Sequence, residues 1–99
     1  MQERDVERKL VQGVKALGGR AYKFISPGCD GVPDRIVVMP KGGVYFVEVK
    51  SEKGQLSTLQ RQRIVELAVL GHRVAVVRGV EEVELFLQRI GENGAYLPF

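Results

Sequence analysis

The sequence predicts an α/β fold of order αβββαβ(α), with a mixed four-stranded sheet flanked by helices. Three observations carry that reading. Apolar residues recur at helical period near the N-terminus, β-rich runs of period two follow, and a capped helical stretch separates the third such run from a fourth. A strand–helix–strand unit of this kind closes as a right-handed parallel crossover, whereas a short turn makes a hairpin. The whole chain, 1–99, reads as one domain, since its length supports one core and contains no linker, repeat or low-complexity segment.

Residues 3–17 form the first predicted helix. Val6, Leu10, Val14 and Leu17 make one stripe, and Gly18-Gly19 stops it. Glu7 lies on the border of the buried face; Glu3 lies nearer the stripe's centre, but in a first turn that frays. Residues 20–25 predict a strand with Tyr22 and Phe24 on one face and Lys23 on the other. A loop through Ser26-Pro27-Gly28 leads to Pro33, which cannot donate to a ladder and so belongs at the start of a second strand, 34–39. Residues 40–43 turn, and 44–50 form the third strand. After a polar connection, Ser57 and Gln60 make a capping box by sequence, opening a helix that reaches Gly71. Residues 73–78, nearly all apolar, predict a fourth strand buried on both faces. Glu81 and Glu82 open a third helix ending near Ile90, followed by an Asn93-Gly94 turn and an apolar tail, 95–99.

The net charge of +3 and a pI near 9.2 permit contact with phosphate backbones without demanding it. A single cysteine, Cys29, excludes an intrachain disulfide and a multi-cysteine zinc site. No apolar run is long enough to span a bilayer and the N-terminus is unlike a signal peptide, so the expected setting is cytoplasmic, in a bacterial or phage-infected cell. No Gly-rich phosphate loop is present, so no nucleotide cofactor is expected.

The chemistry concentrates in the second and third strands. Asp34, Glu48 and Lys50 stand at the ends of apolar runs, where charges are rare unless paired or bound to a metal. Glu48 and Lys50 are two apart and share a face. Asp34 joins them only if the pairing aligns residues of equal parity, which requires a three- or five-residue loop or a bulge. Mg²⁺ or Mn²⁺ takes oxygen ligands, and Asp34, Glu48 and the backbone carbonyl of Val49 could supply them. Lys50 would orient or deprotonate an attacking water, or stabilise charge at phosphorus.

With Gly31-Val32-Pro33-Asp34-Arg35, Phe46-Val47-Glu48-Val49-Lys50 and Leu56-Ser57-x-x-Gln60 in this order, the chain resembles the PD-(D/E)XK nuclease superfamily and its VRR-NUC (virus-type replication-repair nuclease) family. The likeness extends from the first helix to about Val77. It implies a restriction-endonuclease-like core and a Mg²⁺/Mn²⁺-dependent endonuclease acting on DNA in replication or repair. Metal ligands then fall on Asp34 and Glu48, and the catalytic lysine on Lys50. Glu7-Arg8-Lys9-Leu10 is similar to the opening of archaeal Holliday-junction resolvases, which makes Glu7, rather than Glu3, a further catalytic and possible metal carboxylate. Gln60 matches a glutamine that sits beside the family's site. The resemblance suggests branched or four-way junction DNA as substrate, and symmetric incision calls for a homodimer, with the tail and exposed helix surfaces as candidate contacts.

Blander readings accompany each residue. Asp34 after Pro33 is also ordinary turn chemistry, Glu48 and Lys50 a solvated pair, Glu7 an exposed helix edge and Gln60 simply a cap. Lys23, Arg35, Lys53, Arg61 and Arg63 are candidate phosphate contacts, each with a solvated charge as the plainer account. Rival functions are a flap, nick or single-strand nuclease and a non-catalytic DNA-binding module; the three intact site residues oppose the latter. A cut-down piece of a larger repair protein is a further rival, weighed against by Met1 and the absence of a linker.

Overall fold

Val6, Leu10 and Val14 are fully buried along one side of α1 (Glu3–Ala16), the stripe that the period predicted. Gly18, at φ +89°, reverses the chain so that its own N–H and that of Gly19 return to the carbonyls of Lys15 and Val14. The computed structural model describes residues 1–96, with side chains through Glu92.

Four strands follow the order β1 (Arg20–Lys23), β2 (Arg35–Val38), β3 (Val44–Lys50) and β4 (Val74–Arg78), each beside the next. The first two pairings are antiparallel and β3 pairs with β4 in parallel across α2 (Thr58–Val69), giving the expected mixed sheet. The last helix, α3 (Gly79–Tyr96), joins α1 on one sheet face. Val37, Tyr45, Val47, Val49 and Val77, all odd-numbered, point into that layer and meet Val6, Leu10 and Val14 of α1 and Val83 and Ile90 of α3. Even-numbered strand residues therefore face the other side.

Three expectations need correction. β4 is not buried on both faces: only Val77 is buried, while Val74, Ala75 and Val76 are half-buried. It is an edge strand, and α2 contributes no buried residue. α3 does not stop near Ile90 but runs through Asn93-Gly94 to Tyr96, because a turn-favouring pair disfavours an established helix by only ~1 kcal/mol per glycine. β1 ends at Lys23 rather than Ile25, although the Phe24 N–H still donates to the Asp34 carbonyl at 2.9 Å. Of the apolar tail, residues 97–99 lie outside the described residues.

The α2 start is held to the loop before β2 at Gly31. A Cβ there would lie 2.8 Å from Leu59 Cγ and 3.0 Å from the Leu59 backbone, at a φ of +87° that side chains rarely adopt. Gly31→Ala is expected to destabilise the fold by about 2 kcal/mol or more, read as a lower urea midpoint at unchanged slope.

Candidate active site

The pairing of β2 with β3 decides whether a site exists. Val38 opposes Val44 and Arg35 opposes Val47, so every pair joins residues of equal parity, across a five-residue loop, 39–43. One turn of 3-10 geometry, Pro40–Gly42, with Lys41 at φ 68°, absorbs the loop, and the Met39 N–H closes it on the Gly43 carbonyl at 2.7 Å. Carrying this register one residue beyond Arg35 sets Asp34 opposite Glu48. Hydrogen-bonded pairs alternate along an antiparallel ladder, and this pair falls at a non-bonded position, where side chains approach most closely, at about 4.5 Å between Cα atoms. The odd-length loop that the chemistry required is present.

One step further, Pro33 stands opposite Val49. It has no N–H to give to the Val49 carbonyl. The Val49 N–H, in turn, is taken by Asp34 Oδ2 at 2.9 Å. Asp34 thus spends one oxygen holding β3 in place, with its carboxyl beside that of Glu48.

Glu48 is 1% exposed, and neither of its carboxylate oxygens meets a hydrogen-bond donor among the described residues. A buried carboxylate without donors is costly as an anion. Burial foremost, then the Asp34 carboxyl beside it, push the Glu48 carboxyl from its ordinary 4.5 up to about 8, while the Lys50 charge and a weak approach of the Asp34 backbone N–H, short of a formed hydrogen bond, pull it down without offsetting them. A bond between the two carboxyls needs a proton on one of them, so it belongs to the protonated state alone. Lys50 is half-buried on the same face. The arrangement is chemically specific: two close carboxylates, one of them desolvated and orphaned, with a cation beside them. A hard divalent cation would satisfy both oxygens and displace the proton.

The other nominated residues divide. The structure does not bring Glu7 to this pair. Its carboxylate accepts from Arg35 Nε at 2.8 Å, and Arg35 lies on the opposite sheet face from Asp34 and Glu48. No group of three or more His, Cys, Asp or Glu able to hold a metal occurs among the described residues. Gln60 performs the capping role: its side chain accepts from the Ser57 N–H at 2.9 Å and its own N–H donates to Ser57 Oγ at 3.1 Å. Of the proposed phosphate contacts, Arg35 is occupied as described, and Arg63 donates to the Asp30 carbonyl and pairs with Glu66. Lys23 is exposed on the helix-covered side of the sheet, in register with Arg35. Lys53 and Arg61 are exposed. Sequence reasoning overlooked Arg35 as a structural residue, although its parity already put it on the face that receives the first helix.

The chain matches the VRR-NUC domain family over residues 4–81. It is 43% identical over 77 residues to "Putative nuclease p44" of Acyrthosiphon pisum secondary endosymbiont phage 1, covering 78% of this chain and 83% of that one. Among solved structures, a VRR_NUC domain superposes with a TM-score of 0.81 at 27% identity, covering 87% of this chain and 94% of the other. A VRR_NUC domain protein follows with a TM-score of 0.71 at 20% identity over 91% and 88%, a likeness of fold.

Proposed function

This chain belongs to the VRR-NUC family of nuclease domains, and from that premise we propose a Mg²⁺- or Mn²⁺-dependent endonuclease that cuts branched DNA. The observation that carries metal dependence is Glu48, buried with both oxygens unpartnered and facing Asp34. Two carboxylates and a carbonyl fit magnesium, which uses few protein ligands and keeps several waters. When bound, such a cation supplies charge neutralisation at the phosphoryl group and makes water more acidic. Asp34 and Glu48 would hold it, with Val49 offering its carbonyl. Lys50, on the same face, would orient or deprotonate the attacking water. Its ammonium also offsets negative charge that builds at phosphorus.

Branch selectivity is supported by the face on which the site opens. Tyr22, 58% exposed, is even-numbered like Asp34 and Glu48 and sits opposite Ile36, two register positions from Asp34 on the same face. An exposed ring there offers a stacking surface to bases that are unpaired at a branch point. A flap or nick presents such bases as well, so that reading stays as the alternative. A cytoplasmic setting in a bacterial or phage-infected cell goes with this reading.

Two cuts in a junction require two sites, and the homodimer we propose would form through β4. The free edge of that strand carries the outward N–H and C=O of Val76, beside a groove of about 330 Å³ lined by Glu82, Leu85, Phe86 and Arg89 of α3. Glu82 and Arg89 are two helical turns apart on one face. A two-fold axis between Leu85 and Phe86 would bring each against its opposite on the second copy. Sedimentation at micromolar concentration is expected to give a dimer that cuts a four-way junction at least tenfold faster than linear duplex. A strict monomer would remove the junction reading, and equal rates on all substrates would remove selectivity.

A further inference from the structure

We infer that Arg35 and Glu7 form a positioning pair for the carboxylate of Asp34, with Glu7 acting through Arg35 and not as a ligand. The inference rests on the metal-nuclease reading and assigns a different task to the helix carboxylate within it.

The geometry is specific. Arg35 directly follows Asp34 and opens β2. Its Nε donates to Glu7 Oε2 of α1 at 2.8 Å, and its Nη1 donates to the Ala21 carbonyl of β1 at 3.0 Å. The two charged side chains are only 19% and 22% exposed, so solvent screens the pair weakly. Hydrogen bonds alternate along β1, and the Phe24 N–H pairs with β2; the Ala21 carbonyl therefore points out from the edge of the sheet. One guanidinium thus ties a helix, an edge strand and the first residue of β2 together. A rigid planar fork fixes the directions of both bonds, whereas an ammonium on a flexible stem leaves them free.

The residue so fixed is next to the one whose placement matters. Asp34 reaches the Val49 N–H through its side chain, not through the ladder, which ends at Arg35 with Val47. Pro33 has no N–H to donate across to β3, and the Val49 N–H goes to Asp34 Oδ2. The backbone at 34–35 is therefore held within the sheet by the Phe24–Asp34 bond and by the pairing of Arg35 with Val47, and on its helix-covered side by the Arg35 fork. Releasing the fork removes the tie from this end of β2 to α1 and to the outer side of β1, and so loosens the placement of Asp34 opposite Glu48. Outer partners of metal ligands characteristically change affinity 10- to 100-fold when lost.

The test is calorimetric Mn²⁺ binding to the full chain without DNA, for wild type, Glu7→Gln, Arg35→Gln and the double variant. A positioning pair predicts that each single change weakens Mn²⁺ by about 10- to 100-fold and that the double variant is no worse than either alone. Arg35→Lys, which keeps the charge facing Glu7 but loses the fork to Ala21, is expected to recover part of the affinity. It also serves if Arg35→Gln fails to fold by circular dichroism. The inference is overturned if Glu7→Gln weakens Mn²⁺ while the Arg35 variants leave it unchanged, which is the signature of a ligand. Unchanged binding in all variants, or no Mn²⁺ binding by wild type, overturns it equally. Wild type that binds Mn²⁺ yet cuts no DNA would instead defeat the nuclease reading and leave this result standing.

Discussion

Metal-free protein is expected to lose stability as the pH rises from about 5 to about 9, and Glu48→Gln is expected to abolish that loss together with DNA cleavage. The Glu48 carboxyl is pushed up to about 8 in the fold against 4.5 when exposed. Between those values the folded chain holds a proton that the unfolded chain has released. Stability then falls with pH, because the unfolded state binds fewer protons. The contribution is complete below about 4.5 and is lost as pH passes through about 8. The full swing is on the order of 5 kcal/mol, enough to move the melting temperature of a chain this size by roughly 10 °C or more. Thermal melts in chelator across this range would read it directly. Added Mn²⁺ should reverse the trend at pH 8, and its apparent affinity should climb with pH, since binding displaces the proton. The amide of the Glu48→Gln variant carries no proton to lose in this range, so its melting temperature should stay level where wild type falls. A wild-type profile that rises with pH in this window would contradict the buried, protonated carboxyl.

Lys50→Ala and Asp34→Asn should each reduce junction cleavage by about 10²- to 10⁴-fold while leaving DNA binding within a few-fold of wild type. The two variants probe separate roles. The asparagine oxygen can still accept from the Val49 N–H, so Asp34→Asn keeps the end of β3 in place and removes only the charge that a cation needs. Lys50→Ala leaves both carboxylates and removes the group beside the attacking water. Cleavage assays with Mg²⁺ or Mn²⁺, run beside gel-shift measurements on the same junction, separate chemistry from binding. Undiminished cutting by Lys50→Ala would refute its assignment. Loss of binding equal to the loss of cutting would mean that the site had been disrupted, not disarmed.

Much of the hairpin is legible in the residues themselves. Period-two alternation puts Glu48 and Lys50 on one face, and the residue limits of β3 coincide with the predicted ones, 44–50. The capping box at Ser57 and Gln60 is equally readable, because both partners lie within one helical turn. Asp34 is harder. Its identity as a candidate comes from the motif, but its face depends on loop parity, and the residues of the loop do not fix their own count of paired positions.

Local chemistry therefore dictates the elements, their alternation and the positions of the three charged residues along the hairpin. Tertiary packing decides what those charges become. It buries Glu48 beside Asp34, which raises its affinity for a proton. It also turns Glu7 from a neighbour in the motif into the partner of Arg35, because α1 crosses the sheet on the odd-numbered side while Asp34 faces the other. The reason is range. Alternation and capping are set by residues a few positions apart, whereas desolvation and cross-sheet pairing exist only once distant segments have closed on one another.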